Sequence, residues 1–234
     1  MRNVTDRTSN PFGMTPPCDR YVPGYGDANA DFHVVGDHPG VHGGATATNG
    51  GIAHTDDAES SAGTAPEPDD GAVGVPFTNE VGRRLQRALA EVGLLESVGS
   101  RPELHRTFFS YLHMCVVEGT PDESAYREME RFFDAELRAI AAHVLLPVGE
   151  RATRHVLENY TAKARQVSDD VETLHATEIV GSGFLVMPIA EPGEWSDDHH
   201  ARLVEGLERL RSTDFRRESD LGRFVAGDEP YFVR

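Results

Sequence analysis

The residues with chemistry to offer crowd one stretch: "DFHVVGDHPGVHGG" (31–44) carries His33, Asp37, His38 and His42, and His54 follows a few residues later. A short apolar run that breaks into polar residues punctuated by glycine is where an α/β domain places a site. A phosphate cradle is a poor match. "GDHPGVHGG" fits neither G-x-x-x-x-G-K-[ST] nor G-x-G-x-x-G and has no lysine. A metal is the second candidate, because His38 and His42 have the i, i+4 spacing that binds zinc on a helix. Pro39 and Gly40 lie between them and prevent a regular helix from setting that spacing, so no metal is expected. His33 reads as a strand residue and His54 as a solvated loop residue.

The elements that must position this loop follow from periodicity. The first thirty residues are rich in Pro, Gly, Asn and Asp and read as an irregular lead-in on the surface. "DFHVVG" is a short strand. From Ala45 to Ala72 the chain is small and acidic with no period, which predicts a disordered insertion. Val81, Leu85, Ala88, Leu89, Val92 and Leu95 fall at helical spacing behind an N-cap at Thr78 or Asn79. "TFFSYLHMCVV" (107–117) is a second strand, "DESAYREMERFFDAELRAIAA" a long amphipathic helix, and "HVLLPVG" a third strand running into the helix "ERATRHVLENY". "GSGFLVMPIAEP" gives a fourth strand, and a last helix follows Ser196, its cap. Strand and helix alternate. The expected fold is α/β, a three-layer α/β/α arrangement with a central, mainly parallel four-stranded sheet and a site at the carboxyl ends of its strands.

Composition limits the setting. A chain of 234 residues, 38% of them hydrophobic, can bury one sizeable core, so 1–234 is read as a single domain with 45–72 inserted in it. No run of eighteen apolar residues occurs, and the N-terminus lacks the apolar core of a signal peptide; a cytoplasmic monomer with no membrane partner is expected. The net charge is −17, and Lys163 is the one lysine beside 21 arginines, a pattern expected of a halophilic cell. Such a charge argues against nucleic acid in dilute salt. At molar salt the Debye length falls to about 3 Å, so local arginines, hydrogen bonds and stacking decide and DNA is not excluded. Cys18 and Cys115 lie far apart and no disulfide framework can be read from them.

"VPGYGDANADFHVVGDHPG", followed after the insertion by "GVPFTNEVGRRLQRALAEVGL", resembles the uracil-DNA glycosylase superfamily, closest to its iron-sulfur class, which carries VPGEG, GEAPG and GRPFVG in this order. "MERFFDAELRAIAAHVLLPVGERATRHVL" is similar to a later helix and strand of that family, so the resemblance spans about Cys18 to Phe215. It implies DNA containing a damaged base as the partner, and base-excision hydrolysis of the N-glycosidic bond of uracil or another deaminated base. In that chemistry a carboxylate steadies the cationic sugar or orients water, a donor steadies the leaving base, and an aromatic ring stacks on the flipped base. Carried over by motif, Asp37 would serve the sugar or the water. Phe77 would stack on the base, and Gly36, Pro39 and Gly40 would bring backbone close to it. The structural alternatives are a loop-capping role for Asp37 and a core ring for Phe77.

The departures bear on activity. Tyr111 falls where the family's asparagine reads the base edge. Met187 and Ile189 replace the histidine and serine of the HPS motif around Pro188, and methionine cannot donate to a leaving anion. His38, His42 and His113 are the substitute donors. The iron-sulfur class uses four cysteines; here Cys18 and Cys115 match two positions and Met129 stands near a third, so no cluster and no other cofactor is expected, the two cysteines lying near each other as thiols. The alternative to a glycosylase is a catalytically inactive member of the same fold that binds nucleic acid or a nucleotide.

Overall fold

A computed structural model describes residues 15–44, 74–161, 171–181 and 183–216. The elements run β1 (Tyr25–Gly26), β2 (Phe32–Gly36), α1 (Pro39–His42), α2 (Glu80–Glu91), β3 (Thr107–Tyr111), α3 (Glu123–Ile140), β4 (Val144–Pro147), α4 (Gly149–Tyr160), α5 (Val171–Leu174), β5 (Ile179–Val180), β6 (Leu185–Val186) and α6 (Asp197–Ser212), with a 3-10 turn at Pro192–Glu194. They build one mixed six-stranded sheet in the order β1-β3-β2-β4-β6-β5. This corrects the expected four strands. The four expected strands are present and pair in parallel as β3-β2-β4-β6, and an antiparallel edge strand is added at each side. Those edge strands have two residues each, too short to leave a period in the sequence.

β2, β3 and β4 are buried along their whole length, so side chains on both faces are mostly apolar, and the polar exceptions His33, Thr107 and Ser110 are buried too. Phe32 and Val34 point to the face covered by α2 and α6, where Leu85, Leu89, Leu203 and Leu207 complete the larger core. Val35 points the other way, to Phe133, Leu137, Ala152 and Val156 of α3 and α4. His33, on that second face, is fully buried with Nε2 2.7 Å from Ser110 Oγ, and burial pushes its pKa down to about 3. It is a neutral strand residue.

The lead-in is not wholly superficial. Tyr21, Val22 and Tyr25 are buried, and Arg20–Val22 pairs with residues 114–116 as an isolated bridge beyond the second strand, which itself ends at Tyr111, short of the expected Val117. Cys18 and Cys115 lie on this pairing and are joined as a disulfide, which corrects the expected thiols. Gly24 N–H donates to Glu136 Oε1 at 3.1 Å, a contact that needs glycine, since a Cβ there would sit 2.5 Å from that oxygen. Burial pushes the Glu136 carboxyl up to about 8.

Residues 1–14 and the expected insertion at 45–72, His54 included, lie outside the described residues. The two glycines that flank the insertion meet: a Cβ on Gly74 would lie 1.7 Å from the Gly44 carbonyl oxygen. Deleting 45–70 leaves residues 71–73 to join two points already in contact. The deletion variant is therefore expected to keep a cooperative thermal transition with a midpoint near that of the full chain; a broad, non-cooperative melt would contradict this. Among the described residues, no helix is long and apolar enough to cross a membrane.

Candidate active site

From β2 the chain moves to β3 on one side, then crosses to β4 on the other. The carboxyl ends of β2 and β4 thus flank the point where the winding reverses, which is where open α/β sheets leave a crevice. Two turns line it. Asp37, His38 and α1 follow β2, and Val148 and the first turn of α4 follow β4.

α1 is a single turn that the sequence reading denied. Proline is suited to the first helical position, where its missing N–H has no partner to lose. His38 precedes it as N-cap and its Nδ1 accepts from Gly40 N–H at 3.1 Å. With Nδ1 accepting, the proton of the neutral ring sits on Nε2. Burial lowers the His38 pKa, opposed by Asp37 and reinforced by His42 and Arg151, so the ring is neutral at pH 7. Gly40 is required here because a Cβ would lie 2.7 Å from His38 Cε1.

The alternation of β2 divides the site between the two faces of the sheet. Asp37 points to the α3 and α4 side. Its Oδ1 accepts a short hydrogen bond from the Tyr126 hydroxyl and lies 4.0 Å from Arg151 Nε, and its side chain is 19% exposed. Arg151 stacks its guanidinium 4.2 Å over the Tyr126 ring and is pinned at 2.8 Å by Glu123. The His113 ring meets Tyr126 edge-on at 5.5 Å, and burial lowers its pKa. Burial first, and the bond to Asp37 second, push the Tyr126 hydroxyl pKa far up, so it remains a donor. A cavity of about 650 Å³ opens beside Asp37, floored by Leu112, Tyr126 and Phe133.

The other half lies on the α2 and α6 side. Phe77 is fully buried, its ring 5.1 Å from His42, 5.2 Å from Phe109 and 5.3 Å from Tyr111. Gly36 makes room for this stack, since a Cβ would lie 2.7 Å from both the Phe77 and Tyr111 rings. The Tyr111 hydroxyl accepts from Phe77 N–H at 2.8 Å and donates to the Gly43 carbonyl at 2.7 Å. With Tyr111, His42 and Phe109 packed against it and its ring fully buried, Phe77 is reached by a base only if a neighbour moves. His42, also fully buried, places Nε2 3.2 Å from both carboxylate oxygens of Glu191, on the loop after β6.

The structure thus brings Asp37 and His38 together at the crevice with Gly40 and the buried Pro39, and groups Gly36, Phe77 and Tyr111 in the neighbouring aromatic stack. Pro188 comes just before Ile189, which bridges Val148 at the end of β4. Pro188 is buried and its carbonyl accepts from Ala176 N–H at 2.9 Å, while Met187 is fully buried against α6, 3.6 Å from where a Gly206 Cβ would be. Sequence reasoning missed Tyr126, Arg151 and Glu191. Tyr126 carried only a helical-core signal and the other two none, because topology alone brings them to the mouth. The chain's two cysteines, tied to each other, do not supply the four thiolates an iron-sulfur cluster needs.

No curated protein matches the chain. A family model described as "Uracil DNA glycosylase superfamily" matches residues 61–205, which takes in Phe77, Tyr111 and Pro188 and leaves Asp37 and His38 outside the matched range. That match covers more than half of the chain and includes three of the four parallel strands together with the helices α2, α3 and α4 in full, so the chain belongs to the uracil-DNA glycosylase superfamily.

Proposed function

We propose that the protein is a DNA glycosylase of base-excision repair that hydrolyses the N-glycosidic bond of uracil or another deaminated base. One observation carries the reading: a partly exposed carboxylate, Asp37, is held from one side by Tyr126 at the crevice of the sheet, beside a neutral His38. With Oδ1 engaged by Tyr126, the second oxygen is left to orient water toward C1′ or to face the oxocarbenium-like sugar. His38 Nε2–H is the donor proposed for the departing base, a part that Met187, buried against α6, does not play. Water adds its oxygen to C1′ and its proton goes to the released base. No cluster or metal enters the proposal. The protein is proposed to work as a cytoplasmic monomer in a salt-rich cell.

The test is cleavage of single- and double-stranded oligonucleotides containing uracil, hypoxanthine or xanthine, in about 2 M KCl because an acidic protein of this kind needs salt to fold. Wild type is expected to leave alkali-labile abasic sites, and Asp37→Ala to lose about 10²- to 10⁴-fold in rate, the range of a positioned acid–base group. Equal rates would remove Asp37 from the mechanism. A second reading, an inactive member that binds nucleic acid, is favoured by the full burial of Phe77 against Tyr111 and His42. It predicts binding of the same oligonucleotides by folded protein without cleavage.

A further inference from the structure

At the mouth, several separate devices converge on Glu191. It sits on the loop between β6 and α6, whose path is set by buried polar bonds. His175, fully buried, accepts from Ala190 N–H at 2.9 Å through Nδ1 and donates to the His199 carbonyl at 2.8 Å through Nε2. Trp195 Nε1–H donates to the Ala190 carbonyl at 2.8 Å, and Arg84 reaches from α2 to the carbonyls of Pro192 and Trp195 at 2.9 and 2.7 Å. The side chain is then oriented in turn. His42 Nδ1 is buried without a hydrogen-bond partner, which is no place for a proton, so the ring's proton sits on Nε2 and is donated to Glu191. Gly149, at φ +80°, clears the way at the start of α4: a Cβ there would lie 2.9 Å from Glu191 Oε2.

A staple between two loops would not need a carboxylate that remains 28% exposed, with no arginine or lysine among the described residues bonded to it. The stack of His42, Phe77 and Tyr111 lies directly beside it. The Tyr111 hydroxyl has both of its bonds within the protein and cannot read a base. A carboxylate accepts and does not donate, so it favours a ring whose edge presents an N–H. We infer that Glu191, held by His42, is the specificity-determining residue of the site, accepting the imide or lactam N–H of the extruded base. This rests on the glycosylase reading and adds the substrate class: bases with an edge N–H, such as uracil, hypoxanthine or xanthine, over those that lack one.

The experiment compares uracil with N3-methyluracil, which lacks that N–H, in single-stranded oligonucleotides. Cleavage is measured as kcat/KM, and affinity is measured on 2′-fluoro analogues that resist hydrolysis. Wild type is expected to prefer uracil. Glu191→Gln, which keeps the size and an acceptor for His42, is expected to reduce that preference about tenfold in both readouts, since a charge-assisted bond becomes a neutral one. Its melting point should stay near that of wild type, and Glu194→Gln on the exposed side of the loop should leave the preference unchanged. An unaltered preference in Glu191→Gln, while Asp37→Ala abolishes cleavage, overturns the inference and leaves the glycosylase reading standing. A shifted binding preference without cleavage supports the inference and counts against hydrolysis. Neither cleavage nor binding by folded wild type overturns both.

Discussion

Replacing Arg106 and Arg216 together by methionine is expected to lower the unfolding free energy by about 3–5 kcal/mol, the usual cost of leaving a buried charge without its partner. Asp31 opens β2 with a side chain only 3% exposed, clasped by Arg106 through Nε and Nη2 and by Arg216 at 3.0 and 2.6 Å. The two arginines are themselves 44% and 52% exposed, so removing the aspartate instead returns them to water. Asp31→Asn should therefore cost less, about 2 kcal/mol, within the range of charged hydrogen bonds. The order of the two variants is the test of which partner is desolvated.

Acid dependence separates them further. Burial alone would raise the Asp31 carboxyl, but the hydrogen bonds and charges of Arg106 and Arg216 outweigh it and hold the group well below the usual 3.8. A depressed carboxylate contributes its full stabilisation above the unfolded value and loses it as pH falls from there. In the double variant the two guanidinium partners are gone and burial, which raises the pKa, dominates, with His143 Nδ1 3.5 Å away as the remaining neighbour, so protonation on acidification relieves the buried charge. The gap between wild type and variant is thus expected to be widest near neutral pH and to narrow as the pH falls through about 4. Denaturant unfolding at several pH values in the same salt checks this, and a gap independent of pH would show that the carboxylate is not the buried charge that matters.

The second large effect is on α2, where Gly82→Ala is expected to destabilise the fold by about 2–3 kcal/mol. Helix propensity alone says the opposite, since alanine inside a helix gains about 1 kcal/mol over glycine. Packing decides. A Cβ on Gly82 would lie 2.4 to 2.5 Å from the carbonyl carbon, Cα and oxygen of Phe77. That backbone cannot retreat easily. Phe77 stands in the left-handed region at φ 60°, its N–H held by the Tyr111 hydroxyl and its carbonyl by Gln86 Nε2 at 2.7 Å, with Gln86 also bonded twice to Gly99. The clash must therefore be met by moving the helix or the aromatic stack. Thermal melting measures the loss, and the near-ultraviolet circular dichroism of the Phe77 and Tyr111 rings should change with it; a variant as stable as wild type would mean that the approach of α2 to Phe77 is looser than these distances imply.

By itself the sequence determined the layering. Apolar runs of β2, β3 and β4 and the helical periods of α2, α3, α4 and α6 are local patterns, and each satisfies its own backbone within a few residues or with a like neighbour. Caps were legible for the same reason: Asn79 Oδ1 accepts from Gly82 N–H at 2.8 Å, and Ser196 N–H donates to His199 Nδ1 at 3.1 Å. The family resemblance pointed to the crevice loop, and Asp37 and His38 do lie at the reversal of the sheet. What only the tertiary structure decided is what surrounds them. Tyr126 reaches Asp37 across 89 positions and His42 reaches Glu191 across 149, and no local period carries a signal for such pairs. The two-residue edge strands exist because strands already placed in the sheet, β3 and β6, offer them hydrogen bonds, and the disulfide exists because segment 20–22 pairs beside Cys115. Phe77, expected by motif to stack on a base, is fully buried against Tyr111, whose hydroxyl has its donor and its acceptor within the protein. Local sequence sets which elements form. Which side chains meet at their ends is settled by the order in which the strands pair.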